Sequence, residues 1–190
     1  MNKRLGVVIV VVAILISGLD CAAETYAERL GWGPADRVVI FHVDDAGMSH
    51  SSNQGAIEAV EGLIATSTSL MMPCGWIPEM AQYVVAHPAV DSGVHLTLTA
   101  EWAKYRWSPL AGYGDVPGLV DLEGSLWGGV EQVAMNATAD EVDAEMRAQV
   151  ARAEMLGIPI THLDSHMGTV FAREDYFQRY VASYRTKASS

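Results

Sequence analysis

Four times along this chain a short apolar, β-branched run gives way to a stretch of helical period, and three of those runs end in metal-competent side chains. The three are Val38-Val39-Ile40-Phe41-His42-Val43-Asp44-Asp45, Ser92-Gly93-Val94-His95-Leu96-Thr97-Leu98-Thr99 and Ile160-Thr161-His162-Leu163-Asp164-Ser165-His166. Parallel neighbours need a crossover, and a helix supplies it, so β-α units in series impose an α/β fold with a parallel sheet. Such folds carry their chemistry at the C-terminal ends of the strands. Asp45, His95 and His166 are therefore expected at one rim. Two imidazoles and a carboxylate with open positions make a hydrolytic metal site.

The element boundaries follow from period and punctuation. Residues 37–43 predict the first strand, with a loop from Asp44 to Ser49. Ile57, Val60, Leu63 and Ile64 predict a helix over 53–63. Thr66 to Met72 reads as a strand, and Pro78 opens a helix through Val85. Gly93 to Thr99 is the third strand. Residues 100–136 hold six Gly, two Pro, three Trp and two Tyr with no period, which predicts a long functional loop. Thr138 and Glu141 form a capping box for a helix running to Gly157; Ile160 to Asp164 is the fourth strand, and Asp175 to Tyr184 the last helix. No GxGxxG follows the first strand and no Walker pattern occurs, which argues against a nucleotide site.

The N-terminus reads differently. Lys3 and Arg4 precede an apolar run from Leu5 to Ser17 and then Cys21-Ala22-Ala23, the pattern of a secretory signal peptide. The run is short for a membrane span. The expectation is a signal peptide over 1–23, a domain over 24–190, an exported protein in the periplasm or outside the cell, and no stable membrane insertion after cleavage. Processing takes the formal charge from −11 to −12, which argues against nucleic acid or anionic lipid as a partner. It leaves Cys74 alone, so no intramolecular disulfide is expected and the thiol reads as buried.

Adjacent Asp44 and Asp45 alternate faces while the chain is extended. At a strand end the backbone turns, and Gly47 permits the exit, so one carboxylate can bind metal while the other serves as a general base. Taken alone, the pair also fits a solvated turn with Asp as a helix cap. His162, Asp164 and His166 share strand parity and could line a pocket together, with Asp164 orienting an imidazole.

The strings VDDAG, SNQGAIEAVEGLIATSTSLM, GVHLTLT and THLDSHMGT, in this order between about Val38 and Tyr180, resemble the YdjC-like carbohydrate deacetylases, which include chitooligosaccharide deacetylases. The resemblance implies a (β/α) barrel-like fold and removal of N-acetyl groups from a sugar with one divalent metal ion, Mg²⁺ or Zn²⁺. Carried over residue by residue, it makes Asp45, His95 and His166 the metal ligands, and Asp44 the general base for a metal-bound water. The family often has Asn two residues before the Asp pair and Phe after it, where this chain has His42 and Ala46. Further His residues often follow the DSH motif, where this chain has Met167-Gly168-Thr169.

His42, His162, Asp164, Trp102 and Trp107 are the expected residues of a surrounding shell or substrate surface. Tyr105 and Trp127 are further rings able to stack on a sugar or to pack the loop. The expected partner is an N-acetylated sugar or oligosaccharide, with a homodimer left open. A barrel of eight units commonly takes about 250 residues, and four strands are read here. The family's late His-Pro acid has no counterpart, so C-terminal truncation, poor deacetylation and exposed apolar sheet edges are expected. The alternative is a catalytically impaired fragment or carbohydrate-binding pseudoenzyme.

Overall fold

A computed structural model describes residues 24–188. The segment read as a signal peptide lies outside them. Two units are distinguished, dividing between Val39 and Ile40. Among the described residues the first holds one short helix, α1 (Tyr26–Arg29), capped by Thr25 and Glu28.

The second unit is the α/β fold. Its elements run β1 (His42–Ala46), α2 (His50–Glu61), β2 (Ser67–Leu70), α3 (Ile77–Ala86), β3 (Asp91–Leu96), α4 (Val130–Asn136), α5 (Ala139–Met155), β4 (Ile160–Ser165) and α6 (Glu174–Ala188). The strands form one sheet in the order β1-β2-β3-β4, every pair parallel. One face is apolar: Leu70, Val94, Leu96 and Leu163 join Ile77, Met80 and Val84 of α3 and Val142, Met146 and Ala153 of α5 in one core. The opposite, inner face carries His42, Ser67, Ser69, Gly93, His95 and Asp164, which the registers His42↔Ser67, Ser69↔Gly93 and His95↔Asp164 place side by side. No helix among the described residues is long and apolar enough to cross a membrane.

Three expectations need correction. The first strand starts at His42 rather than 37, because its partner β2 begins only at Ser67; Ile40 and Phe41 stay exposed, although the Phe41 carbonyl accepts from the Thr66 N–H. The first long helix starts at His50 instead of 53, since Ser49 caps it by accepting from the Ser52 N–H. The stretch read as a structureless loop contains α4, which sequence period missed because it is only seven residues long and no side chain caps it. The Thr138–Glu141 capping box forms as expected.

The long segment is anchored from α5. Glu145 and Gln149, one turn apart and fully buried, face it together. The Glu145 carboxylate accepts from the backbone N–H groups of Leu110 and Ala111 and from Gln149. Gln149 also grips both backbone groups of Thr97, at 2.9 and 2.7 Å. Burial raises the Glu145 pKa, and its backbone donors offset part of that shift. Buried polar groups are tolerated when every partner is present, and this pair meets that condition. Cys74 is buried as expected, and burial, helped by the Asp45 charge, pushes its thiol up to about 12.

Candidate metal centre

The β1 strand delivers its two aspartates by breaking its own geometry. The β1–β2 register shifts between Val43 and Ala46, and Asp45 adopts φ 57°, in the left-handed region that Asp tolerates better than most residues. Gly47 continues the turn at φ 90°, where a Cβ would stand 2.2 Å from the Ile77 side chain. Buried Asn53 holds this turn, accepting from the Gly47 N–H at 2.6 Å and donating to the Trp76 carbonyl and the Glu79 carboxylate. The turn therefore begins at Asp45 itself, two residues earlier than a Gly47 exit implies. Asp44 stays extended and exposed.

Asp45, His95 and His166 converge, each offering one ligand atom within 4.8 Å of the others. Asp45 Oδ1 lies 3.3 Å from His95 Nε2 and 3.0 Å from His166 Nδ1. The two imidazole nitrogens are 3.3 Å apart. Asp45 Oδ1 is buried yet has hydrogen-bond geometry to neither ring. A buried carboxylate oxygen facing two imidazole nitrogens in this way fits a divalent cation, and the donor set suits zinc or a similar transition metal better than a hard oxygen-loving ion.

The distal nitrogens are also occupied. His95 Nδ1 meets Asp164 Oδ1 at 2.9 Å. The other Asp164 oxygen accepts from Ser69 Oγ at 2.9 Å and lies 3.1 Å from His42 Nε2. Ser67 Oγ is 2.9 Å from His42 Nδ1. His166 Nε2 meets Glu101 Oε2 at 3.1 Å. These carboxylates govern the charge of the rings. Burial alone lowers the His95 pKa, but Asp164 and Asp45 outweigh it and raise it to about 9. His166 likewise rises, with Asp45 and Glu101 overcoming burial. The His166 and His95 rings hold Asp45 well below the ordinary carboxylate range.

The remaining expected residues divide. His42 and Asp164 sit one step behind the three converging groups. His166 falls on the 3-10 turn that follows β4, while His162 stays within the strand. His162 lies across Gly93, where any Cβ would be 2.5 Å from its ring, and meets His42 edge-on at 5.3 Å. Trp107 is buried with its ring N–H on the Thr99 carbonyl, so it packs behind His166 and offers no sugar-stacking face. Trp127 is tied to the Gly118 carbonyl. Trp102 and Tyr105 remain exposed. Glu101 escaped the sequence reading because it lies beyond β3, which ends at Leu96, in a stretch where no period marks it.

The family model for YdjC-like proteins matches residues 38–188. A carbohydrate deacetylase of Thermus thermophilus is 37% identical over 160 residues, covering 83% of this chain and 54% of that protein. A chitooligosaccharide deacetylase of Serratia marcescens is 32% identical over 134 residues, 69% of this chain and 49% of that protein. A solved structure from Enterococcus faecalis, of a protein named for cellobiose-phosphate cleavage, superposes with a TM-score of 0.70 at 28% identity, over 77% of this chain and 55% of that one. The chain spans about half the length of the curated relatives it matches. It belongs to the YdjC-like family, and it shares that family's α/β fold with a parallel sheet.

Proposed function

We propose that this YdjC-like chain acts as a metal-dependent carbohydrate deacetylase, removing the N-acetyl group of a sugar. The observation that carries the reading is the convergence of Asp45, His95 and His166 beside the exposed carboxylate of Asp44. Relatives named carbohydrate and chitooligosaccharide deacetylases support the substrate class. A divalent ion held by the three residues, zinc by donor chemistry, supplies Lewis-acid polarisation of an amide carbonyl and makes water more acidic.

The chain's own residues do the rest. Asp44, on β1 immediately before the ligand Asp45, would take the proton of the attacking water and return it to the sugar nitrogen as the amide C–N bond breaks. Asp164 holds the Nδ1 proton of His95, leaving Nε2 as the binding nitrogen. Trp102, with half its surface exposed beside Glu101, offers a ring for the sugar.

Slow acetate release from N-acetylglucosamine oligomers is expected, abolished by a chelator and restored by zinc. Release that ignores the chelator would remove the metal from the reaction. A chain that binds zinc one-to-one and the oligomers but frees no acetate would favour the carbohydrate-binding alternative.

We also propose that residues 1–23 are a signal peptide removed on export, supported by Lys3, Arg4 and the apolar run to Ser17. The intact mass of protein recovered from an exporting host should correspond to a chain beginning at Glu24. A mass that includes Met1 would overturn this.

A further inference from the structure

We infer that Glu101 is a positioning residue of the metal centre, selecting through His166 which imidazole nitrogen faces Asp45. The inference rests on the metal-site reading above and extends it to a residue outside the converging three. An ionised carboxylate only accepts, so the 3.1 Å contact from Glu101 Oε2 to His166 Nε2 requires a proton on that nitrogen. In the neutral ring this leaves the Nδ1 lone pair directed at the space shared with Asp45 and His95 Nε2. Asp45 Oδ1 lies 3.0 Å from Nδ1 but off hydrogen-bond geometry, so Glu101 is the better placed of the two carboxylates to hold the proton of the neutral ring.

The two rings thus present opposite nitrogens, Nε2 from His95 and Nδ1 from His166, and each is backed by a carboxylate on its far side, Asp164 and Glu101. The second backing group comes from the long segment rather than the sheet. Its other oxygen, Oε1, accepts from the Trp102 indole N–H at 3.2 Å. Trp102, Glu101 and His166 therefore form a continuous chain of hydrogen bonds from an exposed ring to a ligand. The orientation of His166 depends on the conformation of the segment that borders the site.

The test compares the natural chain with E101A and E101Q. In competition titrations, E101A is expected to lose about 10–100-fold in zinc affinity with one-to-one stoichiometry kept. E101Q, whose amide oxygen can still accept from Nε2, should recover most of it. Nitrogen-15 spectra of the histidine rings supply the readout that a merely structural role would not move. In the metal-free chain, at a pH where the ring is neutral, His166 should carry its proton on Nε2 in the natural chain and in E101Q, and shift it toward Nδ1 in E101A. An unchanged tautomer in E101A, or an affinity within twofold of the natural chain, would overturn the inference. If the natural chain binds no zinc, the metal reading fails, while the metal-free spectra still decide the role of Glu101.

Discussion

A His95→Ala chain is expected to bind zinc more than 100-fold more weakly than the natural chain, a larger loss than the roughly 10–100-fold that removal of an outer partner costs. The substitution deletes one of three converging donors and leaves Asp45 and Asp164 facing each other across the space that the ring filled. Competition titration with a coloured chelator measures it, with circular dichroism confirming that the sheet survives. Retained one-to-one zinc binding at the original affinity would remove His95 from the site.

The natural chain adds a pH dependence. Since Asp164 and Asp45 outweigh burial and raise His95 from its ordinary 6.5 to about 9, zinc must displace a proton below that pH, and its apparent affinity should fall as the solution is acidified. In the metal-free chain the sign is reversed. The raised pKa contributes stability that is fully present below about pH 6.5 and lost as pH rises through about 9, on the order of 2 kcal/mol after allowing for the strong coupling to the carboxylates. Thermal melts of chelator-treated protein at the two ends of that window should differ in that direction.

Asp44→Asn is the second large effect. Acetate release should fall about 10²–10⁴-fold, the usual contribution of a general base, while zinc stoichiometry and melting temperature stay close to those of the natural chain. Asp44 is exposed on β1, so the amide is accommodated without repacking. A variant that keeps full turnover would place the base elsewhere. One that loses zinc would show that Asp44 had been separated from the ligands wrongly.

The three converging residues could be found in the sequence because parallel α/β architecture turns a strand end, a local signal, into a spatial address. Asp45 and His166 lie just beyond the end of a run that reads as a strand, while His95 lies inside the run read as Gly93 to Thr99 and comes to the strand end because β3 stops at Leu96. What the sequence concealed depends on contacts between distant residues. The start of β1 is set by where β2 begins, 25 residues later along the register His42↔Ser67. Trp107 looked like a sugar platform until the Thr99 carbonyl claimed its ring N–H. Glu101 belongs to a segment without period, and only the fold brings it to His166. His166 lies one residue past the end of β4, so strand parity alone could not place it relative to His162.

The sheet's polar inner face changes what this chain does when molecules crowd together. Around the ligands the face is imidazole, hydroxyl and carboxylate, mostly buried with His42 and Asp164 partly exposed, and it offers a second molecule little hydrocarbon to adhere to. One cluster of bare hydrocarbon lies elsewhere, at the entry to the first two strands, where Ile40, Phe41, Leu63 and Ile64 are each more than 60% exposed and the Thr66 N–H joins the Phe41 carbonyl. That cluster makes the strands' N-terminal end a sticky patch. Exchanging those four side chains for polar ones is the way to raise solubility while leaving the opposite rim unaltered.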